Sequence, residues 1–172
     1  MLALALIAVA SAAAGKPPAP TGVHAVDWRN FTYPATPCDR CQGSGPIKVV
    51  NGRSVPDPIL VNLDAWLVRV TYFDATGGEA EEALVEVFWR HSPKGYNRRF
   101  YLYSHDAGRL ELVWLGYSLS YEEELSGVLK VTPGRRSMTA EEIDAGGKRT
   151  LVTYAGSIEG TMRVTKKTRP KR

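Results

Sequence analysis

The densest chemistry in the chain lies in Asp74-Ala-Thr76-Gly77-Gly78-Glu79-Ala-Glu81-Glu82. Closely spaced carboxylate and hydroxyl oxygens on a turn are what a hard cation such as Ca²⁺ requires. Asp74, Thr76, Glu79 and Glu82 are the candidate metal ligands. Against a D-x-[DN]-x-[DN]-G calcium loop the spacing is incomplete, because Thr76 and Gly78 occupy the second and third ligand positions. A solvated hairpin loop is the simpler expectation. The histidines are His24, His91 and His105. His91 and His105 stand at turns beside neighbouring strands and are expected to lie close together. With Ser92 and Asp106 they outline a secreted-hydrolase alternative. A triad also needs a nucleophile within reach of its base and an oxyanion hole. No G-x-S-x-G elbow occurs, and Gly43-Ser44-Gly45 reads as a flexible turn. Glu122, Glu123 and Glu124 are consecutive and outline no spaced glycosidase pair. No motif specifies a reaction, so a non-enzymatic protein without a cofactor is expected.

Cys38 and Cys41 are the two cysteines. The stretch from Cys38 to Gly45 fits CxxCxGxG, one repeat of the zinc module of DnaJ-type chaperones. Four thiolates per zinc demand several such repeats. A redox CxxC would open a helix, whereas Gly43, Gly45 and Pro46 follow here. A local disulfide closing a tight turn is the remaining expectation, in keeping with an oxidising compartment.

A candidate binding face comes from Tyr96, Arg98, Arg99, Tyr101 and Tyr103, where bases and aromatics interleave on one strand. Such a strand can stack nucleic acid. An exported chain makes an envelope polymer or a protein the expected partner, and no nucleic acid.

These residues must be positioned by β-structure. Trp66–Phe73 and Ala83–Arg90 are rich in β-branched and aromatic residues and predict a hairpin with the acidic stretch as its loop. Trp66, Val68, Val70 and Tyr72 are expected on the core face of the first arm, and Val85, Val87 and Trp89 on that of the second. The opposite faces are expected to be wet. Arg98–Ser104 and Arg109–Leu115 read as further strands across short turns, with Leu110, Leu112 and Trp114 on one face. The economical topology from Trp66 to Leu115 is an antiparallel meander.

On the amino-terminal side, Asn51-Gly52 predicts a type I′ turn between Ile47–Val50 and Arg53–Val55. After Pro56-Asp57-Pro58, Ile59–Leu63 leads towards the central hairpin. Beyond Gly116, Tyr121–Leu125 reads as a helical turn or loop and Val128–Val131 as a strand. Thr139 and Glu142 form a capping-box pattern that predicts one turn of helix. Lys148–Ala155 and Gly160–Thr165 read as closing strands. The fold class is therefore mainly β, a single-domain antiparallel sheet with little helix.

The ends differ from the body. Met1–Gly15 is an uncharged apolar run followed by small residues, the pattern of a secretory signal peptide, and is too short for a membrane span. No transmembrane segment is expected after its cleavage. Residues 16–22 read as a proline-rich linker and 23–165 as the β-rich domain. Residues 166–172 read as a basic disordered tail. From Arg163 to Arg172 there are six bases and no acid, which leaves 16 bases against 18 acids elsewhere, a net −2. A basic end of this kind suits anionic surfaces.

Val26-Asp-Trp28-Arg-Asn30, Thr32-Tyr-Pro34 and Cys38 resemble the start of the LppP/LprE family of actinobacterial envelope lipoproteins and secreted proteins. Val70-Thr-Tyr-Phe-Asp74 through Glu82-Ala-Leu-Val85 resembles that family's V-x-Y-x-D-x-T-G-D-G-x-x-E-A-x-V hairpin, with Gly78 where the pattern has an acid. Phe100–Tyr103 and Leu110–Leu115 fit the same pattern, so the resemblance covers about Val26 to Leu115. It implies an envelope or extracellular location, and it assigns no catalytic residues. The expectation is a secreted or envelope-associated β-domain that binds an envelope component or a protein. A secreted hydrolase and a calcium-stabilised extracellular module are the alternatives.

Overall fold

The computed structural model describes residues 21–35, 45–55, 64–78, 80–92, 95–121, 124–156 and 162–170. Cys38, Cys41, Glu79 and the Ile59–Leu63 stretch lie outside the described residues. Among the described residues a short 3-10 turn, Gly22–Ala25, precedes eleven strands. These are β1 (Thr32–Tyr33), β2 (Ile47–Val50), β3 (Arg53–Ser54), β4 (Asp64–Phe73), β5 (Glu82–Ser92) and β6 (Gly95–Asp106). They continue as β7 (Arg109–Tyr121), β8 (Glu124–Gly134), β9 (Ser137–Ile143), β10 (Arg149–Gly156) and β11 (Met162–Thr168).

Every strand pairs antiparallel with its neighbours in sequence, so the sheet order is the chain order. The fold is the expected mainly-β meander, and β4 to β7 are its long central block. Two-residue turns set several registers. Asn51 and Gly52 take φ of 53° and 84°, the left-handed pair of a type I′ turn. Ala107 and Gly108 repeat it between β6 and β7 at 45° and 81°.

Two apolar clusters hold the sheet. The first lies where the amino-terminal arm covers one face of β4 to β6. Trp28, Tyr33 and Val49 pack there with Val85, Val87, Trp89 and Tyr101, all essentially buried. The Tyr33 hydroxyl donates to the Trp28 carbonyl at 2.7 Å, which fastens the arm. The second cluster lies on the other face. Leu84, Phe100 and Leu102 pack against Val128, Val131, Met138 and Ala140. Each large apolar side chain buried in this way contributes about 1.5–3 kcal/mol.

That second cluster exists because the meander turns back on itself. β7 and β8 pair only over Ser118–Tyr121 and Glu124–Gly127. Gly127 has φ +95°, and a Cβ there would sit 2.2 Å from the Tyr117 carbonyl oxygen. Beyond it β8 leaves β7 and carries β9 and β10 over the face of β5 and β6. Gly156 seals the far end, because its missing side chain admits the Thr76 backbone, which a Cβ would meet at 2.4 Å.

Several expectations are corrected here. The second face of β5 and β6 is not a wet face along its whole length, since Leu84, Phe100 and Leu102 are covered. A bulge at Val68 breaks the alternation of β4. Ala65, Leu67, Val70 and Tyr72 share the first core, Val68 is 48% exposed, and Trp66 faces Phe88 on the opposite side. A second irregularity, at Val113, likewise separates Leu110, on the first core, from Trp114, on the second. The turn of helix predicted from Thr139 is strand β9. Pairing on both sides and the burial of Met138 and Ala140 outweigh one capping pattern. Of the stretch expected as a helical turn or loop, Tyr121 and Glu124 are antiparallel ladder partners that end β7 and begin β8. Lys166, Lys167 and Thr168, expected in a disordered tail, belong to β11, whose ladder partners on β10 extend to Leu151.

Candidate functional site

The interleaved strand expected to form a binding face is divided by its own pleat. Asn97, Arg99, Tyr101 and Tyr103 turn inward and are at most 4% exposed, whereas Tyr96 is 38% exposed and Arg98 lies on the opposite face. Arg99 stacks over Trp89 at 4.1 Å and donates to the Tyr101 hydroxyl at 3.4 Å. Burial pushes the Tyr101 phenol up, and the nearby Arg99 charge opposes the shift. Arg98 pairs with the buried Glu86 carboxylate at 3.3 Å, which Arg69 also holds at 3.1 Å. The five residues therefore form a core and an ion-pair cluster, and make no common face.

Asp74, Thr76 and Glu82 of the acidic loop turn side-chain oxygens onto the loop itself. Glu82, 2% exposed, accepts from the Ala75 and Thr76 amides at 2.7 and 3.3 Å and from the Thr76 hydroxyl at 2.6 Å. Asp74 accepts from the Gly77 amide at 2.6 Å and pairs with Arg136 at 3.6 Å. Asp74, Thr76 and Glu82 thus brace the loop with the donors a cation would have to displace. Among the described residues no group of three or more His, Cys, Asp and Glu is arranged to hold a metal ion.

The histidines do not converge. His91 lies next to the end of β5, beside the Ser92–Gly95 ladder pair, while His105 pairs with Leu110 at the other end of β6. At about 3.3 Å per residue that places their backbones roughly 30 Å apart. The expected closeness fails because one strand of twelve residues, β6, separates the two turns. His24 stacks on Tyr72 at 4.1 Å, and its Nε2 lies 2.9 Å from Glu81. That pair clasps the amino-terminal turn to the edge of the loop.

A concave feature appears at the fork between β7 and β8. Once Gly127 turns β8 away, the two strands diverge around a cleft of about 370 Å³. Trp114, Leu115, Tyr117, Val128, Glu142 and Tyr154 line it. Trp114 meets Tyr154 edge to face at 5.4 Å, and the Tyr154 hydroxyl donates to Glu142 at 2.8 Å. Burial, reinforced by Glu142, pushes the Tyr154 phenol up to about 12, so it keeps its proton and remains a donor at neutral pH. Gly116 is required at the floor, where a Cβ would fall 2.3 Å from the Trp114 ring.

Backbone chemistry completes the fork. Residues 109–116 of β7 pair with β6 on one side and with no described strand on the other. Residues 128–134 of β8 pair with β9 and with no other described strand. The arrangement presents amides and carbonyls, an aromatic wall and one acid, a combination suited to binding. Sequence reasoning missed this site. Its signal was the pair of glycines inside strand patterns, which mark close backbone approach or a bend. No protein-family model, curated protein or solved structure matches the chain.

Proposed function

We propose that the chain is an exported, envelope-associated binding domain and not an enzyme, and that it takes an extended segment of a partner protein into the fork by strand addition to β7. The observation that carries this reading is the run of backbone at 109–116 without a second described strand, set beside the Trp114–Tyr154 wall. An added strand lies about 4.8 Å from its neighbour and gains affinity from main-chain hydrogen bonds, while side-chain pockets select the sequence. Glu142 favours a basic side chain at the position that enters the cleft. The signal-like Met1–Gly15 and the resemblance to the LppP/LprE family support the location. The Cys38–Cys41 pairing belongs to the same reading, as a local disulfide formed on export.

The test uses the full chain and an alternating Val/Thr peptide with a central lysine. Amide hydrogen exchange followed by NMR should show new protection within residues 110–116 when the peptide is added. Glu142→Gln should weaken binding of that peptide severalfold and leave a norleucine-substituted peptide unaffected. Protection appearing elsewhere, or none at saturating peptide, would remove the reading.

A further inference from the structure

On the side of β8 to β11 that faces away from the second core, the pleat and the register assemble an unusual surface. Residues directly opposite in an antiparallel ladder share a face. Thr132, Thr139, Thr153 and Lys166 therefore form one row across the four strands. Ser137, Ala155 and Arg163 form the row beside it. Lys130, Glu141, Leu151 and Thr168 form the row on the other side. Glu141 is the acid of these rows, and Arg149 neutralises it at 2.9 Å. The hydroxyls are ordered, since Thr139 and Thr153 lie 3.5 Å apart through their side-chain oxygens and Thr165 donates to the Thr153 carbonyl at 3.2 Å. Lys130, Thr132, Arg163 and Lys166 are exposed.

We infer that this face binds a phosphodiester-linked anionic polymer of the cell envelope, with Lys130 and Lys166 as its charge anchors and the threonine row as hydrogen-bond donors between them. The polymer identity rests on the export reading above, and the face itself is independent of the fork. Hydroxyls flanked by cations match phosphate oxygens, which accept hydrogen bonds and carry negative charge. The width of the row, three interstrand spacings or about 14 Å, lets a chain lie across the strands and meet several charges at once. Lysines on an edge strand such as β11 also resist edge-to-edge association. That role concerns the strand edge and gives no reason for Lys130, which lies three strands away.

The experiment measures retention of the full chain on immobilised poly(glycerol phosphate) at 50 mM salt, with vesicles of mixed phosphatidylglycerol and phosphatidylcholine as a second arm. The double variant K130Q/K166Q should bind the polymer about tenfold more weakly than the parent. The control K48Q/R109Q, which removes the same charge from exposed sites elsewhere, should stay within about twofold. Raising the salt to 500 mM should abolish retention, because exposed charges are then screened over a few ångströms. Equal losses in the two double variants would reduce the effect to net charge and overturn the inference. Retention by anionic vesicles but not by the polymer would overturn it too. These results leave peptide protection at the fork untouched, so the two readings fail separately.

Discussion

Replacing Gly127 by alanine attacks the point at which the meander folds back. Two costs add. Gly127 sits at φ +95°, a conformation that disfavours any Cβ. The new methyl would also lie 2.2 Å from the Tyr117 carbonyl oxygen and 3.0 Å from the Ser118 Cα, both in the backbone of residues that β6 holds in its ladder. Gly108 separates the two costs, because it has φ +81° and a Cβ added there would meet nothing within 4 Å. Gly108→Ala should therefore cost only the conformational part, about 1 kcal/mol. Gly127→Ala should cost that plus about 2–3 kcal/mol for displacing packed backbone. A domain of this size has a total stability of only about 5–15 kcal/mol, so the difference is easily measured. Urea denaturation followed by Trp fluorescence should give the two midpoints with a common slope. If Gly127→Ala and Gly108→Ala agree within about 0.5 kcal/mol, the close approach does not hold the fork, and the account of the second core falls with it.

Glu82→Gln places an amide donor against the Ala75 and Thr76 donors, and should destabilise by about 2–3 kcal/mol in the same assay. In the parent, a chelator should leave the melting temperature unchanged; a fall of several degrees would show that the loop holds a cation after all. Ala107 occupies φ 45° in a two-residue hairpin turn. Ala107→Asn should stabilise by about 0.5 kcal/mol, and a loss would contradict the type I′ geometry. Burial is the leading cause that raises the phenols of Tyr33, Tyr101, Tyr103 and Tyr154. Above pH 10 the unfolded chain sheds those protons while the folded chain keeps them, so stability should fall as pH rises from 10 to 12. A urea midpoint that holds steady or increases over that range would refute the assignment.

The strands from Trp66 to Leu115 were legible because their signals are local: β-branched and aromatic runs bounded by turn residues. The type I′ turn at Asn51-Gly52 was legible for the same reason, and both of its residues have positive φ. Facing was harder. One extra residue at Val68 shifts the pleat, so Trp66 points away from the core that Val70 and Tyr72 join. Nothing local marks that bulge, because the residues around it are all good strand formers. Thr139 and Glu142 carry a helical signature that is overridden by ladders on both sides, contacts invisible to a short window. The fork was the least legible feature. Its walls come from Trp114, Val128, Glu142 and Tyr154, which lie on four different strands and meet only through the bend at Gly127. The acidic loop shows the converse. Its composition was plain, but whether Glu82 faces solvent or its own backbone depended on burial by the neighbouring strands.

The order of the sheet also bears on how the molecule can be made. Each strand finds its ladder partner in the strand just before it, so backbone pairing can advance in the direction in which a chain emerges. Local pairing of this kind shortens the loops that must close and favours rapid formation for an all-β protein. The delay falls elsewhere. After β7 is laid down, Leu84, Phe100 and Leu102 remain without cover until β8 and β9 have followed and bent back over them. For that interval the growing sheet carries an open apolar face and a bare leading edge, the combination most prone to association with other chains. The elbow at Gly127 thus sets the end of the vulnerable period in the protein's formation, and the lysines of β11 close the sequence with an edge that other strands are discouraged from joining.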